Sequence, residues 1–437
     1  MVNEVRKGYK RTEIGEIPIE WEVHKGFIKI RSGFGFKLNE YTQGGIPLIR
    51  INNIKYGKLD LDDVVYLPEE YLESYSQFVL GENDLLLALN RPITQGKLKI
   101  SRIEKENTPA ILYQRIGKLE MDEKLYNSDY IYYYLQSKEF MKLLEATFVG
   151  SDQPFIKNGE FAKLPIVIPS LQEQSKIVSI LSSVDETIEK TEAIIEQTEK
   201  VKKGLMQQLL TKGIGHTKFK KTEIGETPEE WEVKTLGTIG TWSGGGTPSK
   251  QEPSYWSKEK QVIWVSPKDM YSNIITSSED YITEKGLREK KLKLLPKGTI
   301  LFVTRSGILR NRVPIALAGD SLTINQDLKA LQVASNIDYD FIFYTLLALN
   351  DSIRTSCVKT GTTVESIDFQ SLKEFLIPVP TLSEQKEIVK IIGTYYKKLE
   401  NEKGYLEYLG SFKKGLMQLL LTGKVRVKVD EAGVAHV

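Results

Sequence analysis

Two stretches of the chain carry the same long apolar rhythm. Ile177, Leu181, Val184, Ile188, Thr191, Ile195, Thr198, Lys202, Leu205 and Leu209 are spaced alternately by four and three, and so are Ile388, Ile392, Tyr395, Leu399, Glu402, Leu406, Leu409, Lys413, Leu416 and Leu420. The spacing keeps one edge of a helix apolar and predicts two helices of about 40 residues, roughly 60 Å each at ~1.5 Å per residue. Ser170 to Glu173 and Thr381 to Glu384 read as capping boxes, each directly after a strand-ending proline, Pro169 or Pro380. Two matched seams most simply pair with each other, antiparallel, as a rigid spacer between globular domains. The alternative, each seam packing on its own domain, asks a helix to outrun the body it covers. Polar seam positions (Thr191, Thr198, Lys202, Glu402, Lys413) weaken a generic coiled coil and help fix register. Gly393, Gly404 and Gly410 soften the second helix without an evident reason.

The helices are parts of a larger duplication. Residues 9–23 read YKRTEIGEIPIEWEV and residues 219–233 read FKKTEIGETPEEWEV, 210 positions apart. A second match, at an offset of 211, relates residues 164–211 to 375–422. Between these lie variable stretches that share landmarks: Asp129-Tyr130-Ile131 with Asp340-Phe341-Ile342, and Gly150 and Ile156 with Gly361 and Ile367. The second copy has extra residues around Lys250 to Lys258. The period is too long for a solenoid, so this is a duplicated half-molecule. The expected architecture is α+β: two globular α/β domains separated by two long antiparallel coiled-coil helices, a pseudo-two-fold internal repeat. The expected divisions are 1–23, 24–163, 164–218, 219–374 and 375–437. The N-terminal segment should lie near the end of the second helix.

Within the variable domains, Ile46–Ile51, Asp84–Leu89, Val262–Val265 and Thr299–Thr304 read as short buried strands. Polar strings leave them. Asn90, Arg91, Thr94, Gln95, Lys97 and Lys99 follow one strand, and Arg305, Ser306, Arg310 and Arg312 follow its equivalent. Asn52 and Asn53 match Lys268 at the other strand pair, and the glycine loop with Gly245 and Thr247 offers backbone amides to a phosphate. Arg, Asn and Gln are the side chains that make bidentate contacts to base edges in a major groove. Arg102, Lys290, Lys291 and Lys293 are further phosphate candidates. Any one of these also reads as an ordinary solvated loop residue; recurrence in both halves is what favours DNA.

Composition narrows the classes. The 437 residues hold one Cys (Cys357) and three His (His24, His216, His436), which excludes a disulfide framework and disfavours a metal centre. No apolar run reaches the ~18 residues of a membrane span, and the N-terminus lacks an apolar signal core, so a cytoplasmic location is expected. The net charge is only +2, with 19 basic and 19 acidic residues over 24–163 and 18 against 15 over 234–374. Phosphate contact must therefore come from local clusters, and isolated binding should be weak and salt-sensitive.

The Thr-Glu-Ile-Gly-Glu-x-Pro-x-x-Trp opening, the Pro-Ser/Thr-Leu-x-Glu-Gln before each long helix and the Lys-Lys-Gly-Leu-Met-Gln-x-Leu-Leu-Thr at each end resemble the specificity subunits of Type I restriction–modification systems. The resemblance covers almost the whole chain, in order and twice. It implies two target-recognition domains, each reading half of a bipartite duplex DNA site, with the helices setting the gap. It also implies two modification and two restriction subunits as partners. S-adenosylmethionine, ATP and Mg would belong to those partners and no cofactor to this chain. A catalytic reading finds no Asn/Asp-Pro-Pro-aromatic run and no phosphate-binding Gly-x-x-x-x-Gly-Lys loop. A coiled-coil protein-interaction scaffold, or the same adaptor serving a fused restriction–methylation enzyme, are the other readings. On the adaptor reading, about four residues inserted in both helices should widen the tolerated gap between half-sites, and exchanging residues 24–163 should change one half-site only.

Overall fold

The computed structural model describes residues 5–150, 153–359 and 364–428. Gly361 and His436 fall outside them. The chain forms two compact units, residues 1–192 with 405–437, and residues 193–404. Each is described by itself.

In the first unit a hairpin pairs Tyr9–Thr12 with Gly15–Pro18 and buries Trp21 behind it. A five-stranded sheet runs Lys29–Ser32, Ile116–Glu120, Leu85–Ala88, Ile100–Arg102, Tyr56–Gly57 in spatial order. A four-stranded sheet runs Val65–Leu67, Ile46–Ile49, Ala110–Leu112, Val79–Leu80. The strands are short, and the central ones, Leu85–Ala88 and Ala110–Leu112, are wholly apolar and buried, as elements covered on both faces are. Helices Ser128–Leu135 and Lys138–Glu145 follow, the former capped by Asn127, whose side chain accepts from the Asp129 and Tyr130 amides.

The second unit repeats the plan. Its five-stranded sheet runs Gly240–Gly244, Leu328–Val333, Ile300–Val303, Ile315–Ala318, Ile274–Ile275. Its four-stranded sheet is Trp256–Ser257, Asp280–Ile282, Val262–Val265, Leu322–Ile324. The extra residues around Lys250 build the edge strand Trp256–Ser257. Asp338 caps helix Tyr339–Ala348 as Asn127 caps its counterpart. The four predicted strands are present, three of them two residues shorter; at their C-terminal ends the chain turns out of the ladder into the loops described below.

The long helices span Leu171–Lys212 and Leu382–Leu420. No seam position predicted from the heptads is exposed on either one. Within the first unit they run antiparallel: Asp185 meets Lys413 at 2.6 Å, and Glu173, near the start of the first helix, meets Arg426, past the end of the second, at 2.7 Å. Within the second, Glu199 meets Lys403 at 2.7 Å and Met206 meets Tyr396. Thr191 and Thr198 are buried, and Thr191 returns its hydroxyl proton to the Thr187 carbonyl, which removes the polar cost of its seam position. A Cβ on Gly393, Gly404 or Gly410 would touch nothing within 4 Å, so packing does not demand glycine there.

The capping boxes form only in part. The Ser170 and Thr381 hydroxyls accept the amides of Glu173 and Glu384, but neither glutamate reaches back to its cap. Glu173, 3% exposed, accepts Trp21 Nε1 at 2.9 Å and is forked by Arg426 at 2.7 and 3.0 Å. Glu384 accepts Trp231 Nε1 at 2.9 Å and the Ile214 amide at 3.0 Å, with His216 Nε2 2.9 Å away. The repeated Trp and Glu are thus one device, pinning the hairpin end onto the start of a long helix. The N-terminal hairpin does lie at the end of the second helix: Tyr9 donates its hydroxyl to the Gly423 carbonyl at 2.7 Å.

Candidate DNA-reading loops

Strand Leu85–Ala88 sits in the middle of its sheet with all four residues buried. Past it, the Leu89 carbonyl accepts the Ile156 amide at 2.9 Å, Asn90 bridges Phe155, and the Arg91 amide donates to Pro154 at 2.7 Å. In the second unit the Thr304 carbonyl accepts the Ile367 amide at 2.8 Å, Arg305 bridges Ser366, and the Ser306 amide donates to Glu365 at 3.2 Å. The two exits are therefore one backbone arrangement. Asn90 corresponds to Arg305 and Arg91 to Ser306, so each unit places one exposed arginine there, one residue out of step. Arg91 adopts a φ of 46°, a left-handed conformation uncommon for a long side chain.

Beyond this shared frame the loops part. In the first unit Ile93–Thr94 and Lys97–Leu98 form a two-residue hairpin with Gln95 and Gly96 at φ 55° and 68°, the geometry of a type I′ turn. Tyr56 shares a 2.6 Å hydrogen bond with Thr94 Oγ1, and Lys97 lies 5.5 Å from its ring. Lys99 is half-buried just past the hairpin. In the second unit Ser306 caps a 3-10 turn over Gly307–Arg310. Arg310 is held by buried Glu365, whose carboxyl that hydrogen bond keeps below the usual range. Arg305 and Arg312 are exposed and make no ion pair among the described residues.

Other predicted positions belong to the fold. Asn53 is 1% exposed: its Oδ1 accepts the Arg50 amide at 2.8 Å and its Nδ2 donates to the Asp60 carbonyl at 2.9 Å. Asp269 takes the same place in the second unit, accepting from the Ser266 and Glu279 amides. Asn53 is thus a loop brace, not a reading residue. Its neighbour Asn52 is exposed, and so is the equivalent Lys268. Lys268, however, pairs with Glu279 at 2.7 Å and Asp280 at 2.9 Å, which push its pKa up and neutralise its charge. Gly245 is glycine for space, since a Cβ would lie 2.0 Å from the Ile324 carbonyl oxygen; Gly33 faces Leu112 in the same way at 2.1 Å. The Gly246 amide already donates to Ile324, and Thr247 donates to Gln326, so the glycine loop is closed onto its neighbour rather than opened as a phosphate cradle. Arg102 is tied to Asp129 and to the Asn83 carbonyl.

One loop escaped the sequence reading. Tyr113 to Arg115 and Asn325 to Asp327 connect equivalent strands at the same sheet end: the Leu89 amide donates to Arg115 and the Thr304 amide to Asp327. Gln114, Arg115 and Gln326 are exposed. Their signal was a polar pair between two apolar strands, too short to stand out.

Among the described residues no group of three His, Cys, Asp or Glu could hold a metal ion, and no helix is long and apolar enough to cross a membrane. The fold and its paired loops define a class: a duplicated α/β module presenting variable loops on a constant frame. The family model for the Type I restriction modification DNA specificity domain matches residues 18–200 and again 228–409. The chain belongs to that family. It is similar to the Type I restriction enzyme MjaX specificity subunit of Methanocaldococcus jannaschii, 31% identical over 431 residues, 97% of each chain. It is 41% identical over 207 residues to the MjaVIII specificity subunit of the same organism, 47% of this chain and 49% of that one. To the EcoR124I/EcoR124II specificity subunit of Escherichia coli it is 37% identical over 273 residues, 61% of this chain and 62% of that one. These last two matches thus span about half and about three fifths of the relatives. The fold is similar to a solved S subunit of a Type I restriction–modification system from M. genitalium (TM-score 0.56, 17% identity, 92% of this chain and 96% of that one). It is also similar to a chain from a study of assembly and conformational transition in the type I R-M system (TM-score 0.58, 15% identity, 94% and 99%).

Proposed function

We propose that this chain is the DNA-reading subunit of a Type I restriction–modification complex and performs no chemistry of its own. Each unit reads one half of a bipartite duplex site through the loops at its strand exits. Two modification and two restriction subunits dock on the chain; they carry S-adenosylmethionine, ATP and Mg. The observation that supports this reading is the shared exit frame filled differently: Asn90-Arg91 in one unit and Arg305-Ser306 in the other, held by the same backbone hydrogen bonds. A constant frame with exchanged arginine and amide side chains is how two related domains come to prefer different base edges.

Reconstitution with the modification subunits tests it. Sequencing of methylated DNA should return a two-part motif; Arg91→Ala should relax one part and Arg305→Ala the other. Loss of fidelity in both parts from either variant, or methyl transfer by the purified chain alone, would overturn the assignment.

A further inference from the structure

The second unit contains a cleft of about 900 Å³, within the size range of small-molecule sites. Met206 and Leu210 of the first long helix, Leu376, Tyr396, Thr345 and Thr227 line it. Thr227 is 3% exposed, and its hydroxyl oxygen has no hydrogen-bond partner among the described residues. A buried hydroxyl without a partner is uncommon enough to need a reason.

The first unit supplies one. Hairpin register places Ile17 where the second unit has Thr227, since Tyr9 faces Pro18 as Phe219 faces Pro228. The helix caps, Asn127 on Gln174 and Asp338 on Gln385, each at 2.8 Å, place Tyr134 where it has Thr345. Ile17 and Tyr134 are buried in one core cluster. The second unit has therefore exchanged an isoleucine and a tyrosine for two threonines around one space. Larger residues nearby (Phe375 for Leu164, Tyr396 for Asp185) have not closed it. One wall is aromatic, Tyr396 stacked on Tyr344 at 5.2 Å.

We infer that this cleft binds a small planar aromatic molecule bearing a hydroxyl. Its ring would take the space that the Tyr134 ring fills in the first unit, with its hydroxyl bonded to Thr227 Oγ1. Nothing in the DNA-reading role requires this site. Its test, on the full chain, uses p-cresol and toluene as probes followed by ligand-observed NMR. Saturable p-cresol binding is expected, at least tenfold weaker in Thr345→Tyr, whose added ring occupies the space. Should that variant not fold, Thr227→Val keeps the volume and removes the hydroxyl. It should weaken p-cresol several-fold and leave toluene unchanged. Non-saturable signals, p-cresol binding undiminished in folded Thr345→Tyr, or equal effects of Thr227→Val on both probes would overturn the inference. So would occupation of the cleft by a docked modification subunit with no probe binding to the chain alone. DNA reading by the reconstituted complex is measured separately, so either conclusion can fail without the other.

Discussion

Where each α/β body meets its long helices, the two units answer one packing problem with different chemistry. In the first, Tyr133 donates its hydroxyl to Asp185 at 2.7 Å and Lys413 pairs with the same carboxylate at 2.6 Å. In the second, Tyr344 stacks on Tyr396 and Lys202 lies 4.2 Å over the Tyr396 ring. The lysines and the first tyrosines are equivalent; one exchange, Asp185 for Tyr396, turns an ion pair into an aromatic stack. The junctions behind the tryptophans differ likewise, with Arg426 on Glu173 and His216 beside Glu384. Backbone register has persisted while the side chains drifted, and the first unit has come to depend more heavily on charge.

Removing the junction carboxylates should break the comparison most sharply. Glu173→Ala strands the Trp21 N–H and leaves Arg426 with Glu20 alone, so about 3 kcal/mol of destabilisation is expected. Glu384→Ala strands the Trp231 and Ile214 N–H groups but no guanidinium, so about 2 kcal/mol is expected. Urea unfolding of the two variants measures the order, and equal losses would mean that the arginine fork adds nothing.

Next come the candidate reading cations. Arg305→Ala should cost about 2 kcal/mol of DNA affinity in the reconstituted complex, if it meets a base edge. Lys268→Ala, whose charge two carboxylates already answer, should cost under about 0.5 kcal/mol. Comparable losses in a salt-matched titration would show that Glu279 and Asp280 let go of Lys268 on binding DNA. A smaller effect separates the helix contacts. Asp185→Ala should lose about 1 kcal/mol at low salt and less at 1 M, because screening weakens its pair with Lys413. The loss from Tyr396→Ala, carried mainly by ring stacking and burial, should vary less with salt than that from Asp185→Ala.

The repeat, the heptad seams and the strand pairs were legible because each is a periodicity or a self-match, which a sequence displays directly. The strand exits were legible in place and only partly in role. Asn53 and Lys268 have the residue types that read bases, yet one braces its own loop and the other is neutralised by acids ten or more positions away. The capping glutamates misled for the same reason: Glu173 and Glu384 fit a local motif, but buried indole N–H groups over 150 residues away compete for them. Local spacing reports local partners, and long-range partners decided these cases.

Cys357, the chain's single thiol, allows the comparison to be read without perturbing it. It ends the helix Asn350–Cys357 in the second unit and is 1% exposed. Burial, with Asp368 nearby, pushes its pKa up to about 11. Thiolate is the reactive form, so at pH 8 the folded thiol should hold roughly 200-fold less of it than an unfolded cysteine of ordinary pKa. Alkylation should therefore follow opening of the second unit and be blind to the first. Glu384→Ala should speed labelling in proportion to its loss of stability, while Glu173→Ala should leave the rate unchanged. Equal acceleration by the two variants would mean that the units open together, and the chemical difference between their junctions would then have no energetic independence.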